Sequence, residues 1–213
     1  MKTDDLIAAL ALDTRSIPSR QIERRLLIWL VPAGLAALVG VVFWLGIRPD
    51  LPVAVTGPTF WAKAAYASAL GVGGFWLLSR LGRPAADAKA PLILLAAVLV
   101  AVALLAASEL AGLPAGERMA AIMGRSARVC PTNILILSAA ASPFVFFGAR
   151  RFAPTRPACA GAAAGLLTAS LVATLYGLHC PEHTAAFVAA WYTLGMAVST
   201  AAGAVISRFA FRW

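Results

Sequence analysis

The sequence predicts an all-α membrane protein in which six transmembrane helices form three helical hairpins, with both termini in the cytoplasm. The prediction rests first on composition. Of the 213 residues, 61% are hydrophobic and only 13% are charged, whereas an ordinary globular domain is roughly 45–50% apolar and about 25% charged. The apolar residues also form long continuous runs, and the basic residues are divided unequally among the connections between those runs.

Six apolar runs approach the length of roughly 20 residues that a helix needs to cross a bilayer. The runs do not alternate apolar and polar residues, which distinguishes them from transmembrane β-strands. Little sequence remains outside them to bury a separate core. We therefore expect a cytoplasmic tail over residues 1–25 and one membrane domain over residues 26–213. The predicted spans are residues 26–47, 60–81, 91–107, 131–149, 158–178 and 184–207.

The N-terminal tail has the pattern of a short amphipathic helix. Asp4 and Asp5 fall in its first turn, where the helix dipole favours acids, and Leu6, Ile7 and Leu10 lie broadly on one face. Because so short a helix is marginal by itself in water, we expect its apolar face to pack against a surface. That surface could be the membrane, the inner loops of the chain or a groove in a soluble partner.

The distribution of basic residues predicts the orientation of the spans. With the N-terminus inside, thirteen basic residues fall on the inner face and four on the outer face, which is a strong positive-inside bias. The inner face would then meet anionic lipid. The inner residues are Lys2, Arg15, Arg20, Arg24, Arg25, Arg80, Arg83, Lys89, Arg150, Arg151, Arg156, Arg208 and Arg212, and the outer ones are Arg48, Arg118, Arg125 and Arg128.

A proline marks the start of each returning span, namely Pro58, Pro131 and Pro181. Proline is favoured at the first position of a helix, because its missing N–H would have no partner there. This pattern predicts that Cys130 and Cys180, which each precede one of these prolines, lie near the N-caps of two inward-running helices. Both cysteines would then be at the outer membrane interface and at similar depth.

The interior of the spans carries few polar groups. Lys63 lies inside the second span near its outer end, from which its long side chain could reach the interface. Coupled pumps and transporters need ionisable side chains at depth, so the composition argues against that class. Gly161 and Gly165 have a small-xxx-small spacing, which predicts a close contact between helices.

Cys130 and Cys180 form a candidate redox- or metal-sensing site. On the predicted topology, both face an oxidising compartment, and a helix N-terminus stabilises the thiolate, which is the reactive and metal-binding form. A structural disulfide, a redox- or metal-responsive pair and two unrelated thiols all stay open. We expect no required cofactor.

Neighbouring side chains could extend these cysteines into a metal site. His179 and His183 flank Cys180, and two cysteines with two histidines could supply the four ligands that zinc prefers. Met119 and Met123, one helical turn apart in the preceding outer segment, could contribute to a copper(I) site. Bound copper or zinc is thus an alternative to a Cys130–Cys180 disulfide.

The sequence carries no recognisable catalytic motif, and we expect no enzymatic activity. It has no glycine-rich phosphate loop and no Cys-x-x-Cys pair. A metal-ion transporter or metal-handling membrane protein stays an alternative function, and a membrane thiol oxidoreductase is a more distant one.

Several segments resemble those of the NrsF-type six-helix membrane anti-sigma factors, and the resemblance covers nearly the whole chain. The most specific segments are LHCPEH at residues 178–183 and WYTLG at residues 191–195. Further matches are MKTDDLI at residues 1–7, RPD at residues 48–50 and TRP at residues 155–157.

The resemblance implies a protein that holds an extracytoplasmic-function sigma factor at the bacterial inner membrane. It also implies that the two outer cysteines, Cys130 and Cys180, mediate release of the sigma factor under metal or oxidant stress. On this interpretation the tail helix contacts the sigma factor, the membrane domain contacts the lipid bilayer, and the chain makes no direct contact with nucleic acid.

Overall fold

The computed structural model describes residues 3, 20–83, 87–152 and 154–211. Within these residues the chain is helical and contains no β-strand. The predicted tail helix, with Asp4, Asp5, Leu6, Ile7 and Leu10, lies outside the described residues.

The described part of the chain contains six long helices and two short ones. In chain order they are α1 (Gln21–Leu45), α2 (Leu51–Ala54), α3 (Pro58–Leu81), α4 (Lys89–Gly112), α5 (Ala115–Met123), α6 (Cys130–Ala149), α7 (Pro157–Tyr176) and α8 (Ala185–Ala210). The last turns of α1 (Gly40–Leu45) and a segment near the start of α8 (Val188–Tyr192) are π-helical.

Five of the long helices, α1, α4, α6, α7 and α8, are long and apolar enough to cross a membrane. Helix α3 has sufficient length, at 24 residues, but is not among them. Its lower hydropathy follows from Lys63 and Arg80, together with several Trp, Tyr and Ser residues. The structure therefore supports a membrane protein with five candidate spans, while the sixth span, the hairpin arrangement and the sidedness remain predictions.

Helix α7 lies at the centre of the bundle, where it contacts α8, α3, α6 and α1. Its small residues allow the closest of these approaches. A Cβ atom on Gly161 would overlap the carbonyl oxygen of Gly203, and one on Gly165 would overlap that of Ser199, both on α8. The small-xxx-small spacing thus marks a real helix contact, as the sequence predicts.

Packing partners in the bundle are not always neighbours in sequence. Helices α7 and α8 pack along each other, but α1 packs chiefly against α6, and α4 packs against α3 and the first turns of α8. The outward-facing apolar side chains of α4, among them Ile93 and Leu104, are well exposed. Such a surface is typical of a helix that contacts lipid.

The three connections that the sequence assigns to the outer face meet at one end of the bundle. The Arg48 N–H, after α1, donates to the Leu178 carbonyl oxygen, after α7, at 3.0 Å. The Thr184 hydroxyl, before α8, donates to the Ala121 carbonyl oxygen in α5 at 2.8 Å. This end of the bundle carries both candidate sensing cysteines.

Candidate functional site

Cys130 occupies the first position of α6 and is fully buried. Its N–H donates to the carbonyl oxygen of Ser126 at 2.8 Å, which closes the turn before the helix. Pro131 follows in the first helical turn, where a missing N–H costs nothing. The structure therefore places Cys130 at a helix start, as the sequence predicts.

Cys180 lies instead in the connection between α7 and α8, and its prediction as a residue near the N-cap of a helix is wrong. Its N–H donates to the Tyr176 carbonyl oxygen at 3.0 Å, which continues the end of α7. Helix α8 begins only at Ala185, because the Thr184 hydroxyl accepts a hydrogen bond from the Phe187 N–H and caps the helix. Threonine is a much better N-cap than the residues that precede it here.

The two cysteines come together as free thiols inside the protein. Both are fully buried, and the two thiols lie close enough to act on each other's ionisation. The Tyr176 hydroxyl interacts with Cys130, and the Tyr192 hydroxyl interacts with Cys180. We refer to Cys130, Cys180, Tyr176 and Tyr192 as the thiol cluster.

The two tyrosine rings close the thiol cluster off from solvent. Tyr176 and Tyr192 are fully buried, with their ring centroids 5.9 Å apart. The Asn133 side chain, one helical turn after Cys130, donates to the Tyr176 hydroxyl at 3.5 Å. Sequence reasoning missed these tyrosines as members of the site, although Tyr176 is only four residues before Cys180, whose N–H bonds its carbonyl oxygen.

Lys63 supplies a buried positive charge beside the thiol cluster. Only 5% of the residue is exposed, and its ammonium donates to the carbonyl oxygens of Cys180 at 3.0 Å and Glu182 at 2.7 Å. It also lies 5.8 Å from the centroid of the Tyr192 ring. The Lys63 side chain thus reaches the connection after α7, where carbonyl oxygens accept its ammonium inside the protein; its position relative to the membrane interface stays a prediction.

The surroundings of Cys180 favour its ionised form. The neighbouring Cys130 thiol is the first cause that lowers the pKa of Cys180, and the positive charge of Lys63 is a further one. Burial acts in the opposite direction. Because the thiolate is the nucleophilic form, Cys180 is the more reactive member of the pair.

Arg48 fixes the backbone of Cys180 from the other side. One Nη atom of Arg48 donates to the Cys180 carbonyl oxygen at 3.1 Å. The same guanidinium binds both carboxylate oxygens of Asp50, at 2.7 and 2.6 Å. Two cationic side chains, Arg48 and Lys63, therefore share one carbonyl oxygen.

Glu182 ties the segment that carries Cys180 to the segment that carries Cys130. One of its carboxylate oxygens accepts from the N–H of Arg125 at 2.7 Å and from the N–H and hydroxyl of Ser126 at 3.1 and 2.9 Å. Gly124 has a positive φ of 51°, and a Cβ atom there would overlap the Glu182 carboxylate. These partners are far apart in sequence, so no local pattern predicts their pairing.

The other predicted metal ligands lie around the thiol cluster without joining it. His179 Nδ1 hydrogen-bonds the Gly46 carbonyl oxygen at 2.8 Å, and His183 is exposed. Met119 and Met123 lie on α5 with exposed side chains. Over the described ranges, no three or more His, Cys, Asp or Glu side chains are grouped so that they could hold a metal ion.

Comparison with known proteins identifies the family. A family model described as negative regulator of sigma F matches residues 10–213. The chain is 40% identical to the anti-sigma-F factor NrsF of Caulobacter vibrioides (strain NA1000 / CB15N), with both chains covered completely. It is 32% identical, again over all of both chains, to the probable anti-sigma-F factor NrsF of Azospira oryzae (strain ATCC BAA-33 / DSM 13638 / PS). No solved structure matches the chain. The full-length matches show that the chain belongs to the NrsF family of negative regulators of sigma F.

Proposed function

We propose that this chain is a membrane anti-sigma factor that holds an extracytoplasmic-function sigma factor at the bacterial inner membrane. It releases the sigma factor when Cys130 and Cys180, on the periplasmic side, react with an oxidant or a metal ion. Membership of the NrsF family supports the regulatory role. The observation that supports the sensing role is that the two free thiols are buried together and act on each other's ionisation.

The tail provides the surface for the sigma factor. Asp4 and Asp5 favour helix initiation, and Leu6, Ile7 and Leu10 present the apolar face that a groove in a soluble partner would bury. While the sigma factor is held in this way, it is kept from RNA polymerase.

Oxidation of the thiol pair is chemically simple. The Cys180 thiolate and the Cys130 thiol form one S–S bond and lose two electrons together with the thiol proton. The oxidant diamide, a diazenedicarboxamide, accepts the two electrons. It also takes up two protons, one from the Cys130 thiol and one from solvent, and becomes a hydrazine. The product is a covalent link between α6 and the connection that precedes α8, with no sulfur left as an anion.

Release requires that the two thiol states favour different packings of the helices. In thermodynamic terms, the reaction at the cysteines and the binding of the sigma factor must share a coupling free energy. Helix α6 carries Cys130 in its first turn and packs against α1, which begins at Gln21 and so includes the last residues of the predicted tail. A shift of α6 relative to α1 would therefore change the position of the first residues of α1, from which the tail extends.

The direct test is co-purification from detergent-solubilised membranes, followed by mass spectrometry. The full chain is compared with a chain that lacks residues 1–20 and with a Leu6→Asp, Ile7→Asp, Leu10→Asp variant. A full-length Arg15→Gln variant, which changes a tail residue on the side opposite Leu6, is the matched control. All four proteins are first shown to be extracted as folded, monodisperse species.

The proposal predicts that an extracytoplasmic-function sigma factor is recovered with the full chain and with the Arg15→Gln control. The truncated chain and the triple variant should recover about tenfold less, because they lack the apolar face. If the full chain recovers no sigma factor, the proposed function is wrong. If the truncated chain recovers as much as the full chain, the tail is not the binding element.

A further inference from the structure

A mostly apolar groove runs along the bundle between α6 and α8. Its volume is about 540 Å³, and α7 contributes Gly165 and Thr168 to its floor. On α6 the groove extends from Leu135 to Phe146, which is about 16 Å at 1.5 Å per residue. All three helices are candidate membrane spans. The groove therefore lies in the part of the bundle that a bilayer would surround.

Two serine hydroxyls that line the groove have no hydrogen-bond partner. Ser138 on α6 is only 4% exposed and Ser199 on α8 only 7%, and within the described residues neither Oγ atom is paired. Other hydroxyls of the long helices donate to a carbonyl oxygen three or four residues earlier in the same helix, as in Ser79, Ser108, Thr168, Thr200 and Ser207. A buried hydroxyl without a partner costs free energy, so these two call for an acceptor from outside the chain.

The depth of the two hydroxyls limits what that acceptor can be. Ser138 lies in the middle third of α6 and Ser199 in the middle third of α8. In a bilayer this level is hydrocarbon without water, and the polar groups of phospholipids lie outside it. The acceptor must therefore be carried by a molecule that is itself soluble in the hydrocarbon core.

We infer that this groove binds a membrane quinone, whose ring carbonyl oxygens accept hydrogen bonds from Ser138 and Ser199. The apolar chain of the quinone lies against the apolar walls of the groove. A phospholipid acyl chain would bury the same walls but would leave both hydroxyls without an acceptor. The inference concerns binding only, and it does not depend on the proposed binding of a sigma factor.

The test is thermal unfolding of the purified full chain in dodecyl maltoside, with and without decylubiquinone. Decylbenzene, which carries an alkyl chain of the same length on a ring without carbonyl groups, is the ligand control. A Ser138→Ala, Ser199→Ala double variant removes both hydroxyls without adding volume. Its matched control is Ser108→Ala, which removes an exposed hydroxyl of α4 outside the groove. Ala139→Phe fills the groove from an exposed position on α6.

A bound ligand raises the unfolding temperature because it binds only the folded state. We expect decylubiquinone to produce a rise in the wild type and in Ser108→Ala, and none in Ala139→Phe. The double variant should bind it about tenfold more weakly, because it lacks the hydrogen bonds to the carbonyl oxygens. Decylbenzene should produce no rise in any variant.

Four results would overturn the inference. Equal rises with decylubiquinone and decylbenzene would assign the groove to alkyl chains in general. A wild-type dimer that Ala139→Phe dissociates would assign it to a second copy of the chain. Equal affinities of the double variant and Ser108→Ala would remove the serine hydroxyls from the site, and no rise in the wild type would remove the site itself.

Discussion

Arg25 donates from Nε to the carbonyl oxygen of Gly148 at 2.8 Å, which joins the first turns of α1 to the last turn of α6. A second contact at the same end links α1 to the connection after α3, since Arg83 binds the Glu23 carboxylate at 2.5 Å. Helix α6 has Cys130 at its other end, about 30 Å away at 1.5 Å per residue. One helix therefore contacts both the thiol cluster and the base of the tail.

Replacing Arg25 with Gln should weaken the coupling between the thiols and sigma-factor binding. A hydrogen bond from a charged group is worth roughly 1.5 kcal/mol, which corresponds to about a tenfold change in an equilibrium constant. We expect Arg25→Gln to bind the sigma factor when reduced, but to show a severalfold smaller loss of affinity after oxidation. The measurement is sigma-factor affinity of the protein in nanodiscs, before and after treatment with diamide.

The control for this experiment is Arg24→Gln, which removes an exposed charge from the neighbouring position. It should behave as the wild type does. Identical oxidation responses in Arg25→Gln and Arg24→Gln would show that the contact with Gly148 takes no part in the coupling.

Replacing Gly161 with Ala should destabilise the bundle. The new Cβ atom would meet the carbonyl oxygen of Gly203, which is backbone and cannot move without separating α7 from α8. Overpacking of this kind costs roughly 1–3 kcal/mol. Gly112→Ala, at the end of α4, is the matched control because no atom lies within 4 Å of its added Cβ. Unfolding in detergent micelles should be easier for Gly161→Ala only, and equal stability of the two variants would contradict the packing described here.

The sequence predicts the helices and the contact between Gly161 and α8 because hydropathy and small-residue spacing are local patterns. The prolines that mark the turns also predict that Cys130 and Cys180 lie at the same end of the helix bundle. The sequence does not predict that Lys63 points inwards. Its acceptors, the carbonyl oxygens of Cys180 and Glu182, come from a connection more than a hundred residues away.

The position of Cys180 likewise depends on residues that are distant in sequence. A Cys-Pro pair has the pattern of a helix start, but the choice between Pro181 and Thr184 as the first turn depends on tertiary contacts. Thr184 both caps α8 and donates to the Ala121 carbonyl oxygen on α5. A distant partner thus decides where the helix begins, and a local pattern cannot contain that information.

The reactivity of Cys180 should depend on pH in a way that reports the charge of Lys63. Because its pKa is lowered, Cys180 keeps a larger thiolate fraction than an ordinary cysteine as the pH falls below that ordinary value. Lys63→Met removes one of the causes, so the reaction profile should move to higher pH. The measurement is the rate of modification by methyl methanethiosulfonate between pH 5 and 10. Every variant carries Cys130→Ser and Cys159→Ser, so the loss of the Cys130 thiol is common to all and the difference between profiles reports Lys63.

Lys89→Met in the same background serves as the reference, because it removes an exposed charge that lies on another helix. Its profile should coincide with that of the background protein. A profile for Lys63→Met that coincides with both would show that the buried ammonium does not act on the thiol.

The most direct test of the central claim is release of a bound sigma factor from the purified complex in nanodiscs upon oxidation with diamide. The wild type and Cys159→Ser, which removes the exposed cysteine of α7, should release the sigma factor as a Cys130–Cys180 disulfide forms. Cys130→Ser and Cys180→Ser should retain it. Full release from both of these variants, or a disulfide in the wild type without release, would contradict the account.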